Sequence, residues 1–118
     1  MFRFSLALAT AATAATAQNY EPREDDQLFD QASLDAKLRG TTITFFDDGK
    51  SRFFDDGRYT YTYANNGGTG HGYFEVRDDS TICVEFVTGF SRCDLYVTDV
   101  RGRLVLITEA GDRFPIRP

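Results

Sequence analysis

The feature that most constrains this chain is a change of pattern after Gly40, from apolar residues at helical spacing to apolar residues at every second position. Over Tyr59–Tyr63 the sequence reads YTYTY, and over Ile82–Val87 it reads ICVEFV. Alternation is typical of strands with one buried face and one wetter face. Turn signals separate the alternating runs at Asp48-Gly49, Asp56-Gly57, Asn65–Gly70, Asp78–Ser80, Thr88–Ser91, Val100–Gly102 and Ala110-Gly111. These seven turns predict eight short strands.

The predicted strands are connected only by turns, because no run between them is long enough for a second helix. They cover Thr41–Phe46, Lys50–Phe54, Arg58–Ala64, Gly72–Arg77, Thr81–Val87, Arg92–Asp99, Arg103–Glu109 and Asp112–Ile116. Successive strands are therefore expected to pair antiparallel. We predict a mainly β fold in which the strands close into a small up-and-down barrel, since closure removes exposed edges. A two-layer β-sandwich is the alternative.

One short helix is predicted before the strands, because apolar residues recur at helical spacing from Leu28 to Leu38. A shorter helix over Leu34–Arg39, capped by Ser33, is the alternative. In both cases Gly40 is expected to end the helix in a left-handed conformation.

The N-terminus has the pattern of a secretory signal peptide. Arg3 is followed by an uncharged run from Leu6 to Ala17, with small residues at Ala15 and Ala17. This run is shorter than the ~20 residues that a transmembrane helix needs. We predict cleavage before Gln18 and a periplasmic or secreted protein. Residues 18–27 then form a mobile acidic leader, and residues 28–118 a single domain with the helix and the barrel.

The mature chain is expected to be acidic. The full sequence has 13 basic and 18 acidic side chains, and loss of Arg3 leaves 12 against 18, a net charge near −6. Nucleic acid and anionic membrane surfaces attract basic patches, so neither is expected as a partner. We expect a monomer that does not insert into a membrane after cleavage and that carries no cofactor.

Cys83 and Cys93 are the only cysteines, and an oxidising compartment favours a disulfide between them. In a tight hairpin turning at Thr88–Ser91, however, Cys83 would lie opposite Leu95 or Tyr96. That offset leaves the two cysteines diagonal to each other and too far apart for a disulfide. We predict the disulfide and expect the hairpin register to differ.

The pentapeptide Phe-Phe-Asp-Asp-Gly occurs twice, at Phe45–Gly49 and Phe53–Gly57. It does not fit an EF-hand loop, which needs oxygen ligands at alternate positions and a terminal glutamate. Asp-Gly instead predicts type I′ hairpin turns. A strand of about five residues, roughly 17 Å long, separates the two turns, so the acidic pairs are expected at opposite ends of one strand.

Every second turn of an up-and-down barrel lies at the same rim, which divides the acidic turns into two groups. One group is a weak candidate for a divalent-cation site, formed by Asp55, Asp56, Asp78, Asp79 and Asp99. Asp47, Asp48 and Asp112 are expected at the opposite rim, with the loop NNGGTGHG. The alternative is that these are solvated turn residues without a ligand, because turns favour aspartate for backbone reasons.

His71 is the only histidine and lies in the glycine-rich stretch Gly67–Gly72. A general base needs an orienting carboxylate, and the sequence nominates only Glu75 or Asp112. Neither a GxSxG motif nor a second histidine accompanies it. We therefore predict no catalytic residues and interpret His71 as an exposed loop residue.

Most of the many aromatic residues are expected in the core, since strands favour them and side chains fill a small barrel. A Phe-Phe pair on a strand puts one ring on each face. Phe46, Phe54 and Phe90 are therefore candidate contacts for a ligand or partner. Their position beside turns, where alternation relaxes, is the alternative explanation.

The order of these segments resembles a known group of proteins. After the helix ending in LRGTTITF come DDGRYTYTY, GYFEV, ICVEF, RCDLYV and LVLITEAGDRFPI. This order resembles small bacterial secreted lipocalin-like proteins of uncharacterised function, over about the last eighty residues. It is also distantly similar to periplasmic protease inhibitors with a small disulfide-bearing barrel. The resemblance implies a lipocalin-like barrel in the cell envelope.

Three functions follow as hypotheses. The leading one is a non-enzymatic binding module for a protein, a peptide or a small ligand in the cell envelope. The second is a periplasmic protease inhibitor that acts through the arm Gln18–Asp26. The third is a small envelope hydrolase or lyase that uses His71.

Overall fold

The computed structural model describes residues 20–118. The predicted signal peptide, residues 1–17, and the first two residues of the predicted leader lie outside the described residues. The elements are β1 (Gln27–Leu28), α1 (Gln31–Leu38), β2 (Thr42–Thr44), β3 (Lys50–Phe53), β4 (Arg58–Thr62), β5 (Thr69–Val76), β6 (Thr81–Phe86), β7 (Ser91–Thr98), β8 (Leu104–Ile107) and β9 (Arg113–Pro115). Among residues 20–118, no helix has the length and apolar character needed to cross a bilayer.

The fold is mainly β, and strands β2 to β9 form one antiparallel meander in chain order. The sheet curls until its two ends meet. Phe45 forms a bridge with Ile116, and the backbone N–H of Arg117 donates to the carbonyl of Thr44 at 2.9 Å. The guanidinium of Arg117 also pairs with Asp48 at 2.7 Å across this seam. The predicted eight-stranded, barrel-like sheet is confirmed, and the sandwich alternative is not adopted.

Six of the seven hairpins share one turn geometry. In each, the N–H of residue i donates to the carbonyl of residue i+4, and residue i+3 has positive φ. The residues with positive φ are Asp48, Gly57, Ser80, Gly89, Gly102 and Gly111. A three-residue loop of this kind is a type I turn followed by a bulge at a left-handed residue. The predicted type I′ turns are wrong, because a type I′ turn needs two residues with positive φ, and each Asp-Gly pair has one.

Helix α1 closes one end of the barrel. Asp30 caps it by accepting a hydrogen bond from the N–H of Ser33 at 2.8 Å. The helix thus begins three residues after Leu28, where the longer predicted helix began, and three residues before Leu34, where the alternative began. Gly40 has φ +84°, as the left-handed end of the helix requires. Leu34 and Leu38 are fully buried against the interior of the sheet. We call the end of the barrel covered by α1 the closed end.

The interior is tightly filled beside this helix. The ring of Phe53 makes edge-on contacts with Phe74 at 5.1 Å and with Tyr59 at 5.2 Å between centroids. Val76 and Ile82 complete this part of the core. Edge-on packing of aromatic rings adds to the stabilisation that burial provides.

A second apolar cluster lies on the outer face of β7 and β8. Leu95, Val97, Val105 and Ile107 are buried there, and Tyr20 covers them. β1 pairs with the end of β7, and the buried carboxylate of Asp26 binds the guanidinium of Arg113 through two hydrogen bonds of 2.7 and 3.0 Å. The described part of the predicted mobile leader, residues 20–27, therefore packs against the sheet, because Tyr20 and Asp26 both have partners there.

The hairpin of β6 and β7 places Cys83 directly opposite Cys93, and a disulfide joins them. The predicted disulfide is therefore present, and as expected the register is not that of a tight hairpin turning at Thr88–Ser91, which would place Cys83 opposite Leu95 or Tyr96. The loop runs through Val87–Gly89 instead of beginning at Thr88, which moves the pairing by two or three residues. On this register Ile82 and Val84 face the interior opposite Asp94 and Arg92.

Candidate functional site

The end of the barrel opposite α1 is open and contains a cavity of about 530 Å³. Its mouth is formed by the turns that follow β2, β4, β6 and β8. Its aromatic walls are made by Phe45, Tyr59, Tyr61, Tyr63, Phe86, Phe90, Tyr96 and Phe114. The barrel is therefore filled in its closed half and hollow in its open half.

Glycines on β5 leave room for the neighbouring strand and its side chains beside this cavity. Gly70 lines the cavity, and a Cβ atom there would lie 3.1 Å from the ring of Phe86. A Cβ atom on Gly72 would lie 2.3 Å from the carbonyl oxygen of Glu85, so only glycine allows β5 and β6 to approach at this point. A glycine within a strand commonly marks such a close approach of backbones.

One charged pair reaches the cavity wall. Arg92 donates from Nε and Nη2 to the two carboxylate oxygens of Asp94, both at 2.9 Å. The side chain of Asp94 is 9% exposed, whereas that of Arg92 is 45% exposed. Hydrogen bonding to Asp94 raises the pKa of Arg92, which therefore stays charged. A two-point pair of this kind fixes the plane of the guanidinium.

Two tyrosines give the cavity a neutral polar lining. The hydroxyls of Tyr59 and Ser51 are hydrogen-bonded to each other at 2.6 Å. Burial raises the pKa of Tyr59 to about 12, and burial also raises the pKa of Tyr96 well above its usual value. Both phenols are therefore protonated at neutral pH and can act as hydrogen-bond donors.

The three predicted contact phenylalanines are not brought together. Phe90 is 61% exposed at the mouth, and its ring stacks on Phe86 at 6.0 Å. Phe46 is 57% exposed on the turn after β2, but it does not line the cavity. Phe54 lies towards the closed end, with its ring between the guanidiniums of Arg52 and Arg58. Of the three, only Phe90 belongs to the candidate site.

His71 lies on β5, which begins at Thr69, and not in a loop as predicted. It is exposed and borders the cavity. Among residues 20–118, no side chain forms a hydrogen bond that orients its imidazole.

The acidic turns divide between the two ends as predicted. Asp55, Asp56, Asp78, Asp79 and Asp99 belong to the three turns at the closed end. Several already have local partners: Asp56 binds Arg58, Asp79 binds Thr81, and Asp99 binds Arg103. Within the described range 20–118, no three histidine, cysteine, aspartate or glutamate side chains are placed to hold a metal ion.

Sequence reasoning missed Arg92 and Asp94. Both occupy the interior set of positions on β7, in alternation with Cys93 and Leu95. The alternation of residues along β7 was ambiguous, because the leader buries the outer face of this strand and neither face is uniformly polar. The opposite charges of Arg92 and Asp94, at positions i and i+2 of one strand, were the available clue.

Protein families, curated proteins and solved structures were all compared with this chain, and none of them matches it.

Proposed function

We propose that the protein is an exported, non-enzymatic binding module that takes one small ligand into the open half of its barrel. The main observation that supports this proposal is the cavity. Its volume of about 530 Å³ lies within the range of roughly 300–1,000 Å³ that is common for small-molecule sites. Aromatic walls with a few convergent polar groups are the usual composition of such sites.

Export to the periplasm or the cell exterior is supported by two features. One is the predicted signal peptide, and the other is the disulfide between Cys83 and Cys93, since disulfides persist in oxidising compartments. A small ligand is favoured over a peptide or protein partner. Of the three candidate phenylalanines, Phe46 and Phe54 lie at different ends of the barrel and do not form one docking face.

The test uses the neutral fluorophore N-phenyl-1-naphthylamine, which becomes brighter in an apolar site. Phe90→Ala removes part of the cavity wall, whereas Phe46→Ala removes an equally exposed ring from a turn at the same end, outside the cavity. We expect the wild-type protein to increase the probe's fluorescence in a saturable manner. We expect Phe90→Ala to weaken binding about 3- to 10-fold, as loss of an aromatic contact does, and Phe46→Ala to bind like the wild type.

The proposal would be contradicted in either of two ways. The wild-type protein could fail to change the probe's fluorescence, or the two variants could weaken binding equally. Far-ultraviolet circular dichroism on each variant verifies that the sheet is intact.

A further inference from the structure

We propose that the ligand is a flat apolar molecule whose buried polar end is an uncharged hydrogen-bond acceptor, such as a carbonyl, bound by Arg92. This inference rests on the proposed function and specifies the chemistry of the same cavity. It follows from the donors that remain available there, from the balance of charge and from the shape of the walls.

The available donor is a specific atom. Asp94 occupies Nε and Nη2 of Arg92, which leaves Nη1 without a hydrogen bond to any of residues 20–118. The side chain of Arg92 is 45% exposed and lines the cavity, so Nη1 is accessible to a ligand. A guanidinium has only donors, so its partner must contribute an acceptor.

The charge around the cavity disfavours an anion. Its lining includes three carboxylates, those of Asp47, Asp94 and Asp112, and one guanidinium, that of Arg92. Asp94 lies in direct contact with Arg92 and neutralises most of its field. An anionic ligand would therefore approach a net negative lining, in a site where low polarity strengthens the repulsion. A carbonyl accepts the same hydrogen bond without this penalty.

The walls favour a flat molecule. Phe86 and Phe90 both line the cavity and lie nearly parallel, with 6.0 Å between their ring centroids and 28° between their planes. Tyr59 packs edge-on against Phe86, also at 6.0 Å. Aromatic surfaces in these orientations stack well on a planar ligand.

The experiment uses three naphthalenes of equal ring size and isothermal titration at neutral pH. The ligand 2-acetylnaphthalene has a neutral carbonyl, 2-naphthoate has a carboxylate, and 2-ethylnaphthalene has no acceptor. We expect 2-acetylnaphthalene to bind at least about 10-fold more tightly than 2-ethylnaphthalene, because a hydrogen bond to a charged donor typically contributes that much. We expect it also to bind at least about 10-fold more tightly than 2-naphthoate, because the net negative lining repels the carboxylate.

Asp94→Asn supplies the second arm, since it keeps the size and an acceptor for Arg92 but removes the neutralising charge. We expect the affinity for 2-naphthoate to rise about 10-fold in this variant and that for 2-acetylnaphthalene to change by less than about 3-fold. Should Asp94→Asn not fold, as judged by circular dichroism, the comparison of the three ligands on the wild-type protein alone still decides the question.

The outcomes separate this inference from the proposed function. If 2-naphthoate or 2-ethylnaphthalene binds as tightly as 2-acetylnaphthalene, and Phe90→Ala weakens that binding, the cavity is the site but the proposed ligand chemistry is wrong. If none of the three ligands binds, the proposed function itself fails. An unchanged preference between 2-acetylnaphthalene and 2-naphthoate in folded Asp94→Asn would also overturn the assignment of charge neutralisation to Asp94.

Discussion

Gly49 and Gly57 end two copies of one pentapeptide, but the fold requires glycine at these positions for different reasons. In the second copy Gly57 itself has φ +96°, and a Cβ atom there would meet nothing within 4 Å. In the first copy Asp48 takes the positive φ, and a Cβ atom on Gly49 would lie 2.1 Å from the hydroxyl of Tyr61. The residue with positive φ is therefore the fourth residue of the first copy and the fifth residue of the second copy.

This difference predicts a specific coupling. Gly49→Ala should lower the free energy of unfolding by about 2 kcal/mol through overpacking, and Tyr61→Phe should recover part of that loss by removing the hydroxyl. Gly57→Ala should cost about 1–2 kcal/mol through its left-handed backbone, whatever residue occupies position 61. Urea denaturation of the single and double variants measures both couplings. An absence of coupling between positions 49 and 61 would contradict the steric explanation.

The buried phenol of Tyr59 predicts a loss of stability in alkali. Burial raises its pKa from 10.0 to about 12, so the folded state holds the proton more tightly than the unfolded state does. The resulting stability is fully present below pH 10 and is lost as the pH rises towards about 12. The urea midpoint should fall over this interval, and less steeply in Tyr59→Phe. Tyr63→Phe, at an exposed position, is the control and should behave like the wild type. Equal slopes in all three proteins would rule out the role given to Tyr59.

At the scale of elements, β7 organises the molecule because both of its faces are buried. Its inner face carries Arg92, Asp94 and Tyr96, which line the cavity. Its outer face carries Leu95 and Val97, which pack under Tyr20. The disulfide at Cys93 fixes the register of β6 and β7 beside the charged pair. The covering of the sheet by the leader and the placement of the site thus depend on the same strand.

The attachment of the leader can be tested at Asp26, whose side chain is 1% exposed and forms an ion pair with Arg113. Asp26→Asn should lower the free energy of unfolding by about 3 kcal/mol, because it leaves a largely buried guanidinium without its counter-ion. Hydrogen bonding from Arg113 lowers the pKa of Asp26, so this contribution is present above the usual carboxyl pKa and disappears as the pH falls through the lowered value.

Asp25→Asn is the matched control for Asp26→Asn, since Asp25 is the exposed neighbouring acid. Chemical denaturation at neutral and at acidic pH measures both effects. If Asp25→Asn and Asp26→Asn have the same stability at neutral pH, the buried ion pair does not anchor the leader.

For the whole molecule, alternation and turn residues were sufficient to predict every strand of the meander, because one face of each strand had to be buried. The short β1 could not be predicted, since two residues are too few to show an alternating pattern. Its pairing also depends on the point at which β6 stops pairing with β7. Packing of the leader depends on the ring of Tyr20 and the carboxylate of Asp26, which no local pattern marks.

The cavity could not be predicted from the sequence for a geometric reason. Alternation identifies which side chains face inward, but not how much space they leave. That space depends on the curl of the sheet and on Gly70, which the sequence marked only as part of a turn. The inward position of Arg92 could not be predicted, because it follows from a hairpin register that the turn signals placed two or three residues away.

The most direct test of ligand binding in the open half of the barrel is an NMR structure determination of the protein with 2-acetylnaphthalene. If the open half of the barrel is the binding site, ligand protons should show nuclear Overhauser effects to the rings of Phe86 and Tyr59 and to the methyl groups of Val84. Effects confined to exposed outer residues such as Tyr73 and Val87, which do not line the cavity, would contradict the central claim that the hollow half of the barrel binds the ligand.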